Sequence, residues 1–116
     1  MRELLILNDA PYGSLKSYNA LRLANALSKK KSNQVRVFLM GDAVACAKQG
    51  QRTPLGNYNF ERIFQALQRN GSEVLACGAC LDLRGLQDDE LVAGCTRGTL
   101  EQLAAWVEST DQVMVF

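Results

Sequence analysis

Residues 1–40 read MRELLILNDAPYGSLKSYNALRLANALSKKKSNQVRVFLM: a short apolar run, a polar turn, an amphipathic segment and a second apolar run, in that order. Leu4 to Leu7 and Val35 to Met40 are too short for helices and rich in branched residues, which predicts buried strands. Between them Ala20, Leu23, Ala24 and Leu27 fall at i, i+3, i+4 and i+7, one face of a helix. Ser14 or Ser17 can cap that helix. Lys29, Lys30 and Lys31 suit its solvated last turn, where the helix dipole favours cations. Strand, helix and strand in succession predict parallel pairing across a crossover.

The rest of the chain repeats this alternation. Val74 to Ala76 and Val113 to Phe116 read as further strands. Phe60, Ile63, Phe64 and Leu67 form a second helical stripe, and Leu100, Leu103, Ala104 and Val107 a third. Asn70-Gly71 closes the second of these helices, and Thr99 with Gln102 forms a capping box for the last. A shorter helix is predicted from Asp42, as N-cap, to about Gln49, with Gly50 stopping it. Gln51 to Asn59 is a polar loop, and Asp82 to Cys95 is read as a short helix near Asp88 to Leu91 and a brief strand at Leu91 to Ala93. The expected fold class is α/β, with a mostly parallel sheet carrying helices on both faces.

A chain of 116 residues fits one domain, residues 1–116, and buries enough surface to fold without staples. A net charge of +1 argues against a nucleic-acid partner. The longest apolar run near the N-terminus spans four residues, too short for a signal-peptide core or a membrane span, so the reading is a cytoplasmic protein with no membrane partner. In that reducing compartment the four cysteines are expected to be free, metal-binding or catalytic rather than paired structurally.

Ligands of open parallel sheets gather beyond the carboxyl ends of the strands. Two loops are expected there, NDAPYGS after the first strand and CGAC after the third. If those strands lie close together, Asn8, Asp9, Tyr12 and Ser14 share one rim with Cys77 and Cys80. Pro11, Gly13 and Ser14 also serve simply to turn the chain, and the loop lacks the glycine spacing that cradles a nucleotide or phosphate, so no cofactor is expected.

The cysteine pair has three readings. Zinc wants four sulfur or nitrogen ligands, but histidine is absent and Cys46 and Cys95 stand alone, so no metal is expected. A dithiol–disulfide switch suits the C-x-x-C spacing, although Leu75-Ala76 precedes the motif and both prolines, Pro11 and Pro54, lie upstream, unlike a thioredoxin. The third reading is a nucleophilic Cys77 leaving a buried strand into Gly78 on a mobile or rim-exposed loop, with Arg84 near enough in sequence to favour a thiolate. Such a sulfur can accept and release another sulfur as a persulfide. Cys46, in the small-residue run AVACAK, reads as helix packing, and Cys95 is open between packing and the site.

The stretches NDAPYGSLKSYNALRLANAL, VRVFLMGDAV, NYNF, CGACLDLRG and GTLEQLAAWVESTDQVMVF, in this order, make the chain resemble the DsrE/DsrF-like family, and within it the small YchN-like branch. The resemblance implies a three-layer α/β/α sandwich with a largely parallel sheet of about five strands. It further implies homotrimers that stack as hexamers and a role in intracellular sulfur handling. In sulfur-relay members a cysteine ending the third strand carries persulfide sulfur between a donor and an acceptor protein, and Cys77 matches that position. Arg84 and Gly85 belong to the same loop, and Cys80 is a feature of the YchN-like branch. Two other functions stay open: a non-catalytic oligomeric binding or scaffold protein centred on the Asn8 to Ser14 loop, and a thiol–disulfide oxidoreductase using Cys77 and Cys80.

Overall fold

The structure, a computed structural model, describes all 116 residues. Five strands form one sheet: β1 (Arg2–Leu7), β2 (Gln34–Leu39), β3 (Glu73–Cys77), β4 (Cys95–Gly98) and β5 (Gln112–Val115). Their order is β4-β3-β2-β1-β5 and every neighbouring pair is parallel. Helices α1 (Lys16–Ser28), α2 (Phe60–Arg69), α3 (Gly78–Leu83) and α4 (Leu100–Glu108) join them. This is the α/β architecture expected, with the sheet wholly rather than mostly parallel.

The strand order explains the layers. From β1 to β4 the chain steps across the sheet in one direction, and right-handed crossovers then keep their helices on one face. The return from β4 to β5 runs the other way and carries α4 to the opposite face. Side chains agree: Phe38 meets Trp106 of α4 edge-to-face at 6.2 Å, and Arg36, two residues away on the same strand face, stacks 5.2 Å over that ring. Val35, Val37 and Leu39 point the other way and are buried on the face that α1 covers. The interior strand β1 is covered on both sides, so Leu4, Leu5 and Leu7 are all fully buried.

Helix ends follow local chemistry. Asn59 accepts from the Arg62 amide at 3.1 Å to start α2, and Gly71 leaves it with φ +85°. Thr99 and Gln102 form the expected capping box of α4, with bonds of 3.1 and 2.9 Å. In α1 Leu15 occupies the N-cap position without a side-chain bond; the Ser14 hydroxyl, one residue earlier, accepts the Lys16 amide at 3.2 Å, and Ser17 does not cap.

Several expectations need correction. The buried stripe of α1 is Ser17, Ala20, Leu21, Ala24 and Ser28, and Leu23 is exposed. Small residues face the sheet because they admit close approach, and the Ser17 and Ser28 hydroxyls donate to the carbonyls of Asp9 and Asn25 at 2.6 and 2.8 Å. In α4 the buried positions are Leu103 and Trp106, with Leu100 and Val107 exposed, since the indole takes the place over Phe38. Asp42 starts no α-helix: Gly41–Ala47 is a 3-10 helix with Met40 at its N-cap, and the Asp42 carboxylate pairs with Arg84 at 2.8 Å instead. The segment after α3 holds a 3-10 turn at Asp88–Glu90, and its strand is Cys95–Gly98, not Leu91 to Ala93. Leu91 makes only an isolated antiparallel bridge with Lys48 while its side chain and that of Val92 fill the core.

No helix is long and apolar enough to cross a membrane.

Candidate functional site

All carboxyl strand ends lie on one rim, and β3 brings Cys77 there. Cys77 is both the last residue of β3 and the N-cap residue of α3, so the C-x-x-C motif, expected on a mobile or rim-exposed loop, is a strand-to-helix corner at the rim. Cys77 is 7% exposed. It reaches solvent through a cavity of about 420 Å3 whose walls include Gly78, Asp82, Arg97, Thr99 and Leu100. β4 builds the far wall, because its pairing sets Cys77 opposite Gly98.

Arg97 organises this cavity and was missed in the sequence, where the strand carrying it was not located. Its guanidinium donates to the Gly78 carbonyl at 3.0 Å and to Asp88 at 2.9 Å, and forms an ion pair with Asp82 at 3.0 Å. A β-carbon at position 78 would fall 2.9 Å from Arg97 Nη1 and 3.1 Å from its Cγ, so glycine makes room for the arginine to lie across the corner. With two carboxylates on one guanidinium, the cavity mouth has no surplus positive charge to attract a small anion.

Cys80 lies one turn further along α3 and is more open to solvent than Cys77. Its sulfur accepts the Gly41 amide at 3.2 Å, and it is the third residue of α3, on the same turn as Cys77 at the N-cap. Burial, and then the neighbouring Cys77, push the Cys80 pKa up; the Gly41 amide and the Arg84 charge oppose this and are outweighed. Arg84 donates to the Cys80 carbonyl at 3.0 Å and forks onto Asp42 at 2.8 and 3.2 Å. It thereby straps the end of α3 to the turn after β2.

The first loop divides between two places. Asn8 lies at the rim, its carbonyl 3.7 Å from where a Gly41 β-carbon would stand, and its side-chain amide donates to the Phe116 carbonyl at 3.2 Å. That bond spans β1 and β5, the point where the strand order reverses. Tyr12 and Ser14 instead line a separate cavity of about 290 Å3 with Pro11, Leu15, Tyr18 and Tyr58. No wall residue is common to the two cavities. Tyr12 is held away from the cysteines by its hydroxyl's bond to Gln51 at 2.6 Å and an edge-to-face contact with Phe60 at 5.8 Å. Asp9 binds the Ser14 hydroxyl at 2.8 Å, so its carboxylate also serves the loop itself.

The remaining cysteines are packed away. Cys46 is fully buried under the Asp9 carbonyl, and Cys95 touches the Gln68 amide. Burial pushes both thiols up to about 12. No three His, Cys, Asp or Glu side chains converge on a position that could hold a metal ion.

Comparison with known proteins agrees with this architecture. Protein YchN of Escherichia coli K12 is 40% identical over 114 residues, 97% of each chain, and protein MJ0989 of Methanocaldococcus jannaschii is 32% identical over the whole of both chains. The crystal structure of the ychN protein from E. coli superposes with a TM-score of 0.91 at 38% identity, covering both chains completely. The sequence pattern of the DsrE/DsrF-like family matches residues 1–116. With the family pattern running the full length and the parallel sheet superposing throughout on such a relative, the chain belongs to the DsrE/DsrF-like family.

Proposed function

We propose that the protein is a cytoplasmic sulfur-relay component in which Cys77 accepts sulfur from a donor protein as a persulfide and passes it to an acceptor protein. Membership of the family supports a sulfur-relay-related role in general. The observation that carries the assignment to Cys77 is its position, a strand-end thiol opening onto the 420 Å3 cavity with room for an added sulfur and an incoming thiol. Cys80, Arg84 and Asn8 act around it: Arg84 straps α3 in place, and Asn8 backs the turn that presents Gly41 to Cys80. Exposed Val113 and Val115 on edge strand β5, with Leu100 and Val107 on α4, supply apolar surface for self-association as a homotrimer or hexamer. Incubation with a cysteine desulfurase and cysteine, followed by intact mass measurement, tests the reading: one added sulfur is expected on the parent and none on Cys77→Ser. Absence of label on the parent, with a competent carrier labelled alongside, removes it.

The aromatic cavity of Tyr12, Ser14, Tyr18 and Tyr58 favours a second reading, a non-catalytic oligomeric protein that binds a small ligand. That reading predicts that Cys77→Ser supports the cellular role as well as the parent. The placing of Cys77 and Cys80 on one turn of α3 keeps a thiol–disulfide oxidoreductase as the third, tested by whether the pair bridges reversibly across a glutathione series.

A further inference from the structure

Taking Cys77 as the persulfide carrier, we propose that Cys80 is a discharge thiol: it attacks the inner sulfur of the Cys77 persulfide, forms a Cys77–Cys80 disulfide and expels undelivered sulfur as hydrosulfide into the cavity. The inference rests on the carrier reading and adds a second fate for the same sulfur.

Two different neighbours of one sulfur atom carry it. Cys77 is a wall of the cavity while Cys80 is not, yet the two stand at the N-cap and the third position of α3, the spacing that brings side chains together on one turn. An outer sulfur added to Cys77 has its space in the cavity, and the inner sulfur keeps Cys80 as its partner. Displacement at a sulfur runs in line, with the attacking and departing sulfurs on opposite sides of the atom attacked. The cavity side therefore suits an acceptor thiol that takes the outer sulfur, and the Cys80 side suits attack on the inner one.

The step balances without an outside oxidant. The Cys80 thiol loses its proton, its sulfur bonds to Cys77 Sγ, and the bond from Cys77 Sγ to the outer sulfur breaks with its electron pair going to the outer sulfur. Hydrosulfide leaves and takes up the proton; the sulfane sulfur is reduced to sulfide while the two cysteine sulfurs are oxidised to a disulfide. Two equivalents of a low-molecular-weight thiol, becoming their own disulfide, return the pair to its reduced form.

The surroundings of Cys80 time this reaction. The Gly41 amide, 3.2 Å from its sulfur, and Arg84 favour the anion, and Arg84 is itself shared with Asp42. Burial and Cys77 oppose ionisation and win, so the attacking form is scarce near neutrality and grows as pH rises. Delivery has time to precede discharge.

The test uses the full chain loaded with inorganic polysulfide, desalted, and followed by intact mass and by sulfide release. The parent is expected to lose one sulfur, finish two hydrogens lighter than the reduced chain, and release one equivalent of sulfide faster at higher pH. Cys80→Ser and Cys80→Ala are expected to load equally and to discharge about tenfold more slowly or less, with no internal disulfide and a flatter pH profile. Equal discharge from the parent and both variants overturns the inference and leaves the carrier reading standing. Failure of the parent to load, or equal loading of Cys77→Ser, overturns the carrier reading and the inference together.

Discussion

Arg97 lies across the α-carbon of Gly78, donating to its carbonyl at 3.0 Å and occupying the space a β-carbon would need. The two residues come from different strand ends and fix the wall of the Cys77 cavity jointly. Gly78→Ala in α3 therefore has two opposed effects: alanine gains roughly 0.5–1 kcal/mol of helical preference over glycine, and its methyl displaces the arginine. A double-mutant cycle separates them. In an Arg97→Ala background Gly78→Ala is expected to stabilise, and in the parent to gain nothing or destabilise. The measurement is urea unfolding of the four proteins, and additive effects would show that the two side chains do not compete.

Thr99 carries the N-terminus of α4 at the other wall of the cavity. Its hydroxyl accepts the Gln102 amide while Gln102 accepts the Thr99 amide, and loss of such a cap costs about 1 kcal/mol. Thr99→Ala is expected to lower stability by about that amount and Thr99→Ser to keep most of it. Thermal unfolding checks both, and equal losses in the two variants would argue against the cap.

The aromatic cavity can be separated from the cysteine cavity by mutation. Tyr18 meets Tyr58 at 5.0 Å and Phe60 at 5.6 Å, both edge-to-face, contacts worth about 0.5–1.5 kcal/mol each beyond their buried area. Tyr18→Ala is expected to destabilise by roughly 2–3 kcal/mol. Because the cavities share no wall, sulfur loading of the folded variant should match that of the parent. Loss of loading in a variant that still gives a parent-like circular dichroism spectrum would couple the two sites.

The parts legible in the sequence were those that local pattern decides. β1, β2 and β3 contain continuous apolar runs because the sheet is covered on both faces there, and Cys77 could be placed at a strand end for the same reason; edge strand β5 carries an apolar run although Val113 and Val115 are exposed. β4 was misplaced because Cys-Thr-Arg-Gly pairs on one side only and has no apolar run to betray it. The faces of α1 and α4 rotated because Ser17, Ser28 and Trp106 do not score as a leucine stripe does, although their packing decides the contact. Arg97 and the Gly41 amide depend on register and on a backbone group, and both are invisible until β2, β3 and β4 are aligned. The separation of Tyr12 and Ser14 from the cysteines is set by long-range anchors, Gln51 and Phe60.

Cys46 and Cys95 make the protein sensitive to alkali. Each has a folded-state pKa of about 12 against an ordinary 9.0, raised by burial. Below 9.0 both states keep the proton and the thiols add no pH dependence. Above it the unfolded chain releases protons that the folded chain retains, so stability falls as pH rises, until the folded value is reached. The slope is about 1.4 kcal/mol per pH unit for each thiol, so the pair together approaches roughly 3 kcal/mol one unit above the ordinary value. Urea midpoints at a series of pH values should therefore decline across this window in the parent. The decline should be shallower in Cys46→Ala or Cys95→Ala, once each variant is referred to its own stability at neutral pH. The same burial predicts that native alkylation leaves Cys46 and Cys95 unmodified while Cys80 reacts, with all four labelled after unfolding. An unchanged slope in both alanine variants, or native labelling of Cys46, would show that the chain opens around these thiols before it unfolds.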